Sequence, residues 1–226
     1  MKETLDRIKQ GYSGNRPDIL KIIPENPAAI LDVGCGAGLL GKQIKDKWPA
    51  CTITGIDSNQ SLLDTAKNNI DTTILYDLEE HKNKLPKLED RFDTIIFADI
   101  LEHLSTPEEA LKSAALLLKP NGHIITSIPN IRHYSTFISL GILGTWPQND
   151  RGIHDRTHLR FFARKNILDL FNNTGLMSVY KKRNLRLIES QSWTNIPAKA
   201  LDFWPLRSFL TFQYLDCCQI KPSNEK

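Results

Sequence analysis

Ile30-Leu31-Asp32-Val33-Gly34-Cys35-Gly36-Ala37-Gly38-Leu39-Leu40 runs from an apolar strand pattern, through Gly-x-Gly-x-Gly, into the start of a helical pattern. Glycine lets the backbone turn sharply and lets a ligand approach main-chain atoms closely. The helix beyond such a loop offers unpaired N–H groups and a partial positive charge to an anionic ligand group. A dinucleotide loop would read Gly-x-Gly-x-x-Gly. Here the third glycine comes one residue early, and Leu39 stands where that motif wants glycine. Asp32, just before the loop, would repel a phosphate and suits a ligand carrying an ammonium or sulfonium charge.

On either side of this loop, short apolar runs alternate with helical spacing. Strands are expected at Ala29–Val33, Thr52–Ile56, Thr72–Leu75, Phe92–Ala98 and Gly122–Ile128. Helices are expected at Leu39–Lys47, Ser61–Asn69 and Pro107–Leu118, with Asp57, Ser58 and Thr106-Pro107 as starts and Pro120-Asn121-Gly122 as a turn. Strands separated by crossover helices predict a parallel α/β sheet covered on both faces. A helix over Arg164–Asn173, ended by Gly175, and strands over Val179–Ile188 and Gln213–Lys221 follow. Residues 189–211, with Trp193, Pro197, Trp204 and Pro205, read as a helical or irregular cap. No linker cuts the chain. The expectation is one domain, 1–226: an N-terminal helical lid or brace (1–27), a cofactor-binding core (28–129) and an acceptor-side region with the C-terminal strands (130–226).

The 226 residues, 40% hydrophobic and 24% charged, exclude collagen-like, coiled-coil and largely disordered chains. No run approaches the ~18 apolar residues of a membrane span. A net charge of +3 is too small to suggest nucleic acid. Cys35, Cys51, Cys217 and Cys218 lack Cys-x-x-Cys spacing, and the charged N-terminus lacks a signal-peptide core. A reducing, cytoplasmic setting is expected.

In Ile53-Thr54-Gly55-Ile56-Asp57-Ser58, a carboxylate ends the second strand, where it can accept both hydroxyls of a ribose. Asp77 ends the third, where an adenine amino group can be read. With the glycine loop, these residues resemble the class I S-adenosylmethionine-dependent methyltransferases. Phe92–Leu104 resembles that family's fourth-strand motif, and Leu117–Ile125 its turn into strand five. The resemblance covers residues 10–130 and implies a doubly wound, mostly parallel seven-stranded Rossmann-like sheet with an antiparallel C-terminal strand. It also implies methyl transfer (EC 2.1.1.-) from S-adenosyl-L-methionine. The cofactor-binding positions it implies are Asp32, Gly34, Cys35, Gly36, Gly38, Leu39, Asp57, Ser58, Asp77, Leu78 and Ala98. Related methyltransferases often lay an N-terminal segment over the cofactor, so Tyr12 and Arg16 join the set.

Methyl transfer from a sulfonium mainly requires positioning of the nucleophile. A hydroxyl acceptor additionally needs a base or a metal. Asp99, Glu102 and His103 fall within one short stretch after strand four, at the carboxyl edge where open α/β sheets keep their sites. On a helix, this spacing would place all three on one face, with Ile100, Leu101 and Leu104 inward. Asp-x-x-Glu-His resembles the Glu-x-x-Glu-His of metal-dependent small-RNA 2′-O-methyltransferases and of ubiquinone-pathway O-methyltransferases, in which a later histidine completes the site. His158 is the matching position. The catalytic set expected is therefore Glu102, His103 and His158. With Asp99 the three form a candidate site for Mg²⁺, Mn²⁺ or Zn²⁺.

The segments Ser127–Tyr134 and Gly152–Phe162 look like a methyltransferase subgroup associated with bacterial polysaccharide and glycan biosynthesis. Asn130, Arg132, His133, His154 and Arg160 are the acceptor candidates. Residues 130–190 hold ten Lys and Arg against four Asp and Glu, which favours an anionic acceptor. The apolar stretch Tyr134–Trp146 is expected mainly as hidden core, with an acceptor wall or a membrane contact as alternatives. The leading expectation is O-methylation of a glycan precursor or related small molecule, anionic or lipid-linked. Alternatives are a quinone or phenol O-methyltransferase and a non-catalytic cofactor-binding regulatory module. Neither a nucleic-acid partner nor a transmembrane segment is expected.

Overall fold

A computed structural model describes residues 15–89, 91–187, 203 and 206–222. Tyr12 and most of the expected 189–211 cap, including Trp193 and Trp204, lie outside them.

The elements are α1 (Pro17–Leu20), β1 (Ala29–Val33), α2 (Leu39–Lys47), β2 (Thr52–Asp57), α3 (Gln60–Ala66), β3 (Thr72–Leu75) and β4 (Phe92–Ala98). A 3₁₀ turn at Leu101–His103 follows, then α4 (Pro107–Leu117), β5 (Leu118–Pro129) and α5 (Tyr134–Phe137), which continues as a π-turn, Ile138–Ile142. The last are α6 (Arg164–Asn173), β6 (Leu176–Leu185), α7 (Arg207–Leu210) and β7 (Thr211–Ile220). One seven-stranded sheet has the order β3-β2-β1-β4-β5-β7-β6. β1 to β5 are parallel, and β7 runs antiparallel to both β5 and β6. This is the expected fold.

Local chemistry explains the boundaries. Asn59, rather than Asp57 or Ser58, caps α3, its side chain accepting from the Ser61 and Leu62 N–H groups. Pro107 opens α4 with Glu108 and Glu109 in its first turn, where acids complement the helix dipole. The expected turn at Pro120–Gly122 is instead part of β5, with a register shift opposite Phe92–Thr94 and Asn121 at φ +62°. A bulge absorbs the turn-forming residues without ending the strand. β6 and β7 each begin and end slightly earlier than the pattern indicates.

Side chains on one face of the central strands (Leu31, Val33, Phe97) pack with Leu111, Ile167 and Phe171. Those on the other (Ile30, Ile53, Ile96) pack with Ile19, Ile44 and Leu63. Burying each such side chain contributes about 1.5–3 kcal/mol before entropy is charged against it. Both faces being covered fixes the carboxyl ends of β1, β2, β4 and β5 as one rigid rim, and the site is built there.

Candidate active site

The glycine loop lies between β1 and α2, with Gly34, Gly36 and Gly38 all at positive φ. A Cβ on Gly38 would sit 3.1–3.2 Å from Ala66 and Asn69, so both conformation and space require glycine there. The Gly36 N–H donates to Asp57 Oδ2 at 2.8 Å, and the Asn59 N–H donates to Oδ1 at 2.8 Å. The carboxylate at the tip of β2 is thus aimed by the backbone and keeps lone pairs for a diol. Burial pushes the Asp57 pKa up, against the pull of the surrounding N–H groups. Asp77 lies beyond β3 and caps the Glu79 N–H at 2.8 Å. Leu78 and Ala98 are half-buried, Ser58 is exposed, and Leu39 begins α2. The Cys35 thiol is buried against the Gly55 backbone, so Cys35 serves the loop through its main chain.

Asp32 is 1% exposed, and neither carboxylate oxygen has a hydrogen-bond partner. Burial, then the neighbouring Asp57 charge, push its pKa up to about 7. A buried carboxylate without a donor is expensive unless a ligand supplies one. An ammonium group at the loop mouth would do so. The residues therefore fit S-adenosylmethionine: an acid for its amino group, an acid for its ribose and a glycine bend between them.

Arg16, just before α1, reaches across this rim. Nη1 donates to Asp99 Oδ2 at 2.6 Å, Nη2 to Ser127 Oγ at 2.9 Å, and Nε to Asp18 Oδ1 at 3.1 Å. Burial pulls the Arg16 pKa down, but Asp99 and Asp18 outweigh it and hold it above the usual value. Asp99 also accepts from Ser127 Oγ at 3.1 Å and from Gln213 Nε2. Ser127 and Gln213 are site residues that sequence reasoning missed. Their one sequence signal is polar side chains in otherwise apolar strands.

Asp99 is therefore not grouped with Glu102 and His103 as expected. Its φ of +58° places it off any helix, and the 3₁₀ turn that follows carries only Leu101–His103. Glu102 (1% exposed), His103 and His158 do converge, each offering a ligand atom, with all three atoms within 4.8 Å of one another. His158 Nε2 lies 3.9 Å from Glu102 Oε1. The His103 and His158 rings meet edge to face at 4.7 Å. His158 comes into place because the Leu159 and Arg160 N–H groups both donate to the Glu102 carbonyl at 2.9 Å. Burial, followed by the Asp99 charge, pushes the Glu102 pKa well up. Burial, followed by His103, pushes that of His158 down.

Three of the five acceptor candidates are withdrawn by their surroundings. Asn130 is fully buried and donates to the Ser208 and Thr211 carbonyls at 2.9 and 2.7 Å. His133 is held between Ser135 Oγ at 2.8 Å and the Arg186 carbonyl at 2.9 Å. His154 is buried on Thr136 Oγ1 at 2.9 Å. Arg132 is exposed over the Phe209 ring, and Arg160 is exposed with Nε donating to the Ser105 carbonyl at 3.0 Å. The expected hidden core at Tyr134–Trp146 is corrected too: Phe137, Leu140, Ile142 and Leu143 face solvent.

A mostly parallel sheet with this strand order and an antiparallel β7, a glycine loop and acids at the ends of β1 and β2 define the class I S-adenosylmethionine-dependent methyltransferases. A family model described as "Methyltransferase domain" matches residues 7–181, and the chain belongs to that family. It is similar to a ubiquinone biosynthesis O-methyltransferase of Coxiella burnetii (strain RSA 493 / Nine Mile phase I), at 33% identity over 158 residues, 65% of this chain and 66% of the relative. A protein of the same description from Proteus mirabilis (strain HI4320) is 29% identical over 66% of this chain and 61% of its own length. The match thus spans just under two thirds of these curated relatives. A SAM-dependent methyltransferase structure from Archaeoglobus fulgidus superposes with a TM-score of 0.65 at 17% identity, covering 96% of this chain and 99% of that one. No helix among the described residues is long and apolar enough to cross a membrane.

Proposed function

We propose that this methyltransferase moves a methyl group onto a hydroxyl of a small phenolic or catechol-type acceptor, with a divalent cation held by Glu102, His103 and His158. The observation that carries this reading is the convergence of those three side chains at the sheet's carboxyl edge. The donor set fits a cation. Glu102 Oε2 is buried without a partner. The Nδ1 of His158 lies 3.2 Å from the Ile153 carbonyl, and that of His103 lies 3.1 Å from Thr157 Oγ1 and 3.3 Å from the Thr157 carbonyl. The Thr157 hydroxyl donates its own proton to Asp155 Oδ1 at 2.6 Å, so these neighbours accept, each Nδ1 carries the proton and each Nε2 keeps its lone pair for a ligand. A downward-shifted pKa keeps His158 neutral, as a ligand must be. The named relatives favour a phenolic acceptor over the glycan precursor expected from the sequence.

Bound S-adenosylmethionine supplies the methyl group on a sulfonium, already activated for displacement. Asp32 receives the cofactor's ammonium and Asp57 its ribose, fixing the direction from which the methyl arrives. Glu102, His103 and His158 would hold the cation, which would supply positive charge beside the acceptor oxygen and lower the hydroxyl pKa. Transfer would form the acceptor O–CH₃ bond as the S–CH₃ bond breaks, leave the bonding pair on the thioether sulfur and release the hydroxyl proton to solvent. The test is methyl transfer to a water-soluble alkyl catechol, with and without added Mg²⁺, Mn²⁺ or Zn²⁺. Metal-independent turnover equal to metal-supplemented turnover overturns the metal part, and absence of any methylated catechol overturns the acceptor class.

A further inference from the structure

The two ends of α3 touch two different parts of the cofactor site. Before its first turn, the Asn59 N–H donates to Asp57 Oδ1 at 2.8 Å. In the turn after its last residue, Ala66, the half-buried Asn69 reaches the glycine loop, 32 positions back in the chain. Its Nδ2 donates to the Ala37 carbonyl at 2.8 Å. The Gly38 N–H, at the other side of the same peptide, donates to the Cys35 carbonyl at 2.9 Å. Both polar groups of the Ala37–Gly38 peptide are thus engaged. The turn that carries Asn69 is itself firmly seated. The Asn69 and Ile70 N–H groups donate to the Ala66 carbonyl at 2.8 and 3.0 Å, and the Ile70 side chain fills space that a Cβ on Gly41 or Gly55 would need.

We infer that Asn69 is a positioning residue for S-adenosylmethionine, which locks the Ala37–Gly38 peptide in the orientation that the cofactor's methionine end meets. Such a lock has work to do here. Gly38 sits at φ +74° without a Cβ, so sterics alone resist rotation of the peptide before it only weakly. A flip would exchange the directions of the carbonyl and the N–H, break the Gly38–Cys35 bond and reshape the mouth of the loop. A loop that samples both orientations binds more weakly, in proportion to the time spent in the wrong one. Asparagine suits the task chemically. Its amide donates to the carbonyl without carrying charge, whereas lysine or arginine at position 69 would bring a cation beside a site for a cationic ligand. The role rests on the methionine end lying over the glycine loop with its ammonium on Asp32. It adds that the ribose acid and the loop are held from the two ends of one helix, so neither half of the site is set independently of α3.

The test is calorimetry on the full chain carrying Asn69→Leu, which nearly keeps the side-chain volume and removes the donor. Two ligands are titrated in parallel: S-adenosylmethionine, and adenosine, which reaches Asp57 but has no methionine end. S-adenosylmethionine affinity should fall about three- to tenfold, the range of one hydrogen bond, while adenosine affinity stays near wild type. Asn69→Ala should show the same split, and it decides the matter if the leucine variant does not melt as a folded protein. Unchanged S-adenosylmethionine affinity, or an equal fall for adenosine, overturns the inference, because a residue that merely braces the turn would spare both ligands or shift both. Asp32→Asn tests the placement beneath it. If that variant binds S-adenosylmethionine like wild type, the methionine end does not lie on the loop, and placement and lock fall together. If it loses binding while Asn69→Leu does not, only the lock falls. No turnover is read, so the acceptor and the cation do not enter the result.

Discussion

Arg16 and Asp99, 83 positions apart in the chain, pair at 2.6 Å at the carboxyl edge of the sheet. The contact ties the residue before α1 to the end of β4, and through Ser127 and Gln213 to β5 and β7. The Arg16 charge also acts on Asp32, lowering a pKa that burial raises. One guanidinium therefore braces the residue before α1 against the sheet rim and favours the ionised form of Asp32.

Arg16→Ala should lower stability by about 1–2 kcal/mol, because Asp99 is partly exposed and solvent screens what it loses. For a chain of this size that is roughly 2–8 °C in melting temperature. Arg16→Ala combined with Asp99→Asn should cost less than the two single changes added together, since the second removes the charge left unpaired. Additive melts would show the pair to be energetically idle.

Asp32→Asn separates stability from binding. The native pKa, near 7, lies above the unfolded value near 3.8, so native protein holds more protons between them. Asp32's contribution to stability is therefore present below about pH 4 and is lost as pH rises through 7. At pH 8 the asparagine variant should melt several degrees above wild type without cofactor, and the difference should shrink by pH 5. Its S-adenosylmethionine affinity should be poor at both values. Wild-type affinity should fall as pH drops below about 7, as Asp32 takes up a proton. Calorimetry across that range checks the binding, and paired melts check the stability.

Asp57→Ala should weaken S-adenosylmethionine binding by ~1.5–3 kcal/mol, the range for hydrogen bonds to a charged group. The loss includes the aim of the loop, because the Gly36 N–H forfeits its partner. NAD should not compete with the cofactor in wild type. Calorimetric affinity in Asp57→Ala equal to wild type would remove the ribose role.

The glycine loop, β1 to β4, α2 and α6 were legible in the sequence because local periodicity and turn chemistry decide them. Both ends of α2 and α6 fall where the pattern places them. Asp99 was misread for want of one dihedral. Grouping Asp99 with Glu102 and His103 depends on a helical phase through Asp99–His103, which a left-handed residue at the strand end breaks. Asn130, His133 and His154 read as polar candidates because residue type does not reveal burial. Asn130 and His133 satisfy the distant Thr211 and Arg186 carbonyls, and His154 pairs with the Thr136 hydroxyl. Residues 137–146 were misread in the opposite sense, since apolar composition alone does not say what covers it.

The cation site gives the last prediction, in which Asp99 serves as the internal control. If Glu102, His103 and His158 hold the ion, Glu102→Gln and His158→Ala should each weaken metal binding at least roughly tenfold. A competing chromogenic chelator reads this without any turnover. Both variants should leave S-adenosylmethionine affinity nearly unchanged, because the cofactor contacts proposed above are to Asp32 and Asp57. Asp99→Asn should keep full metal affinity, since that carboxylate is spent on Arg16, Ser127 and Gln213. The pH dependence follows from two ligands: burial and then Asp99 push the Glu102 pKa well up, while burial and then His103 push that of His158 down. Glu102 must lose its proton to bind a cation, so metal binding should strengthen as pH rises and weaken as it falls. If the three side chains instead work without a metal, His103 as general base, chelator changes nothing and His158→Ala is mild, while His103→Ala still abolishes transfer. Loss of metal in Asp99→Asn, with metal retained in His158→Ala, would place the ion on the Arg16 side of the rim and refute the cluster described above.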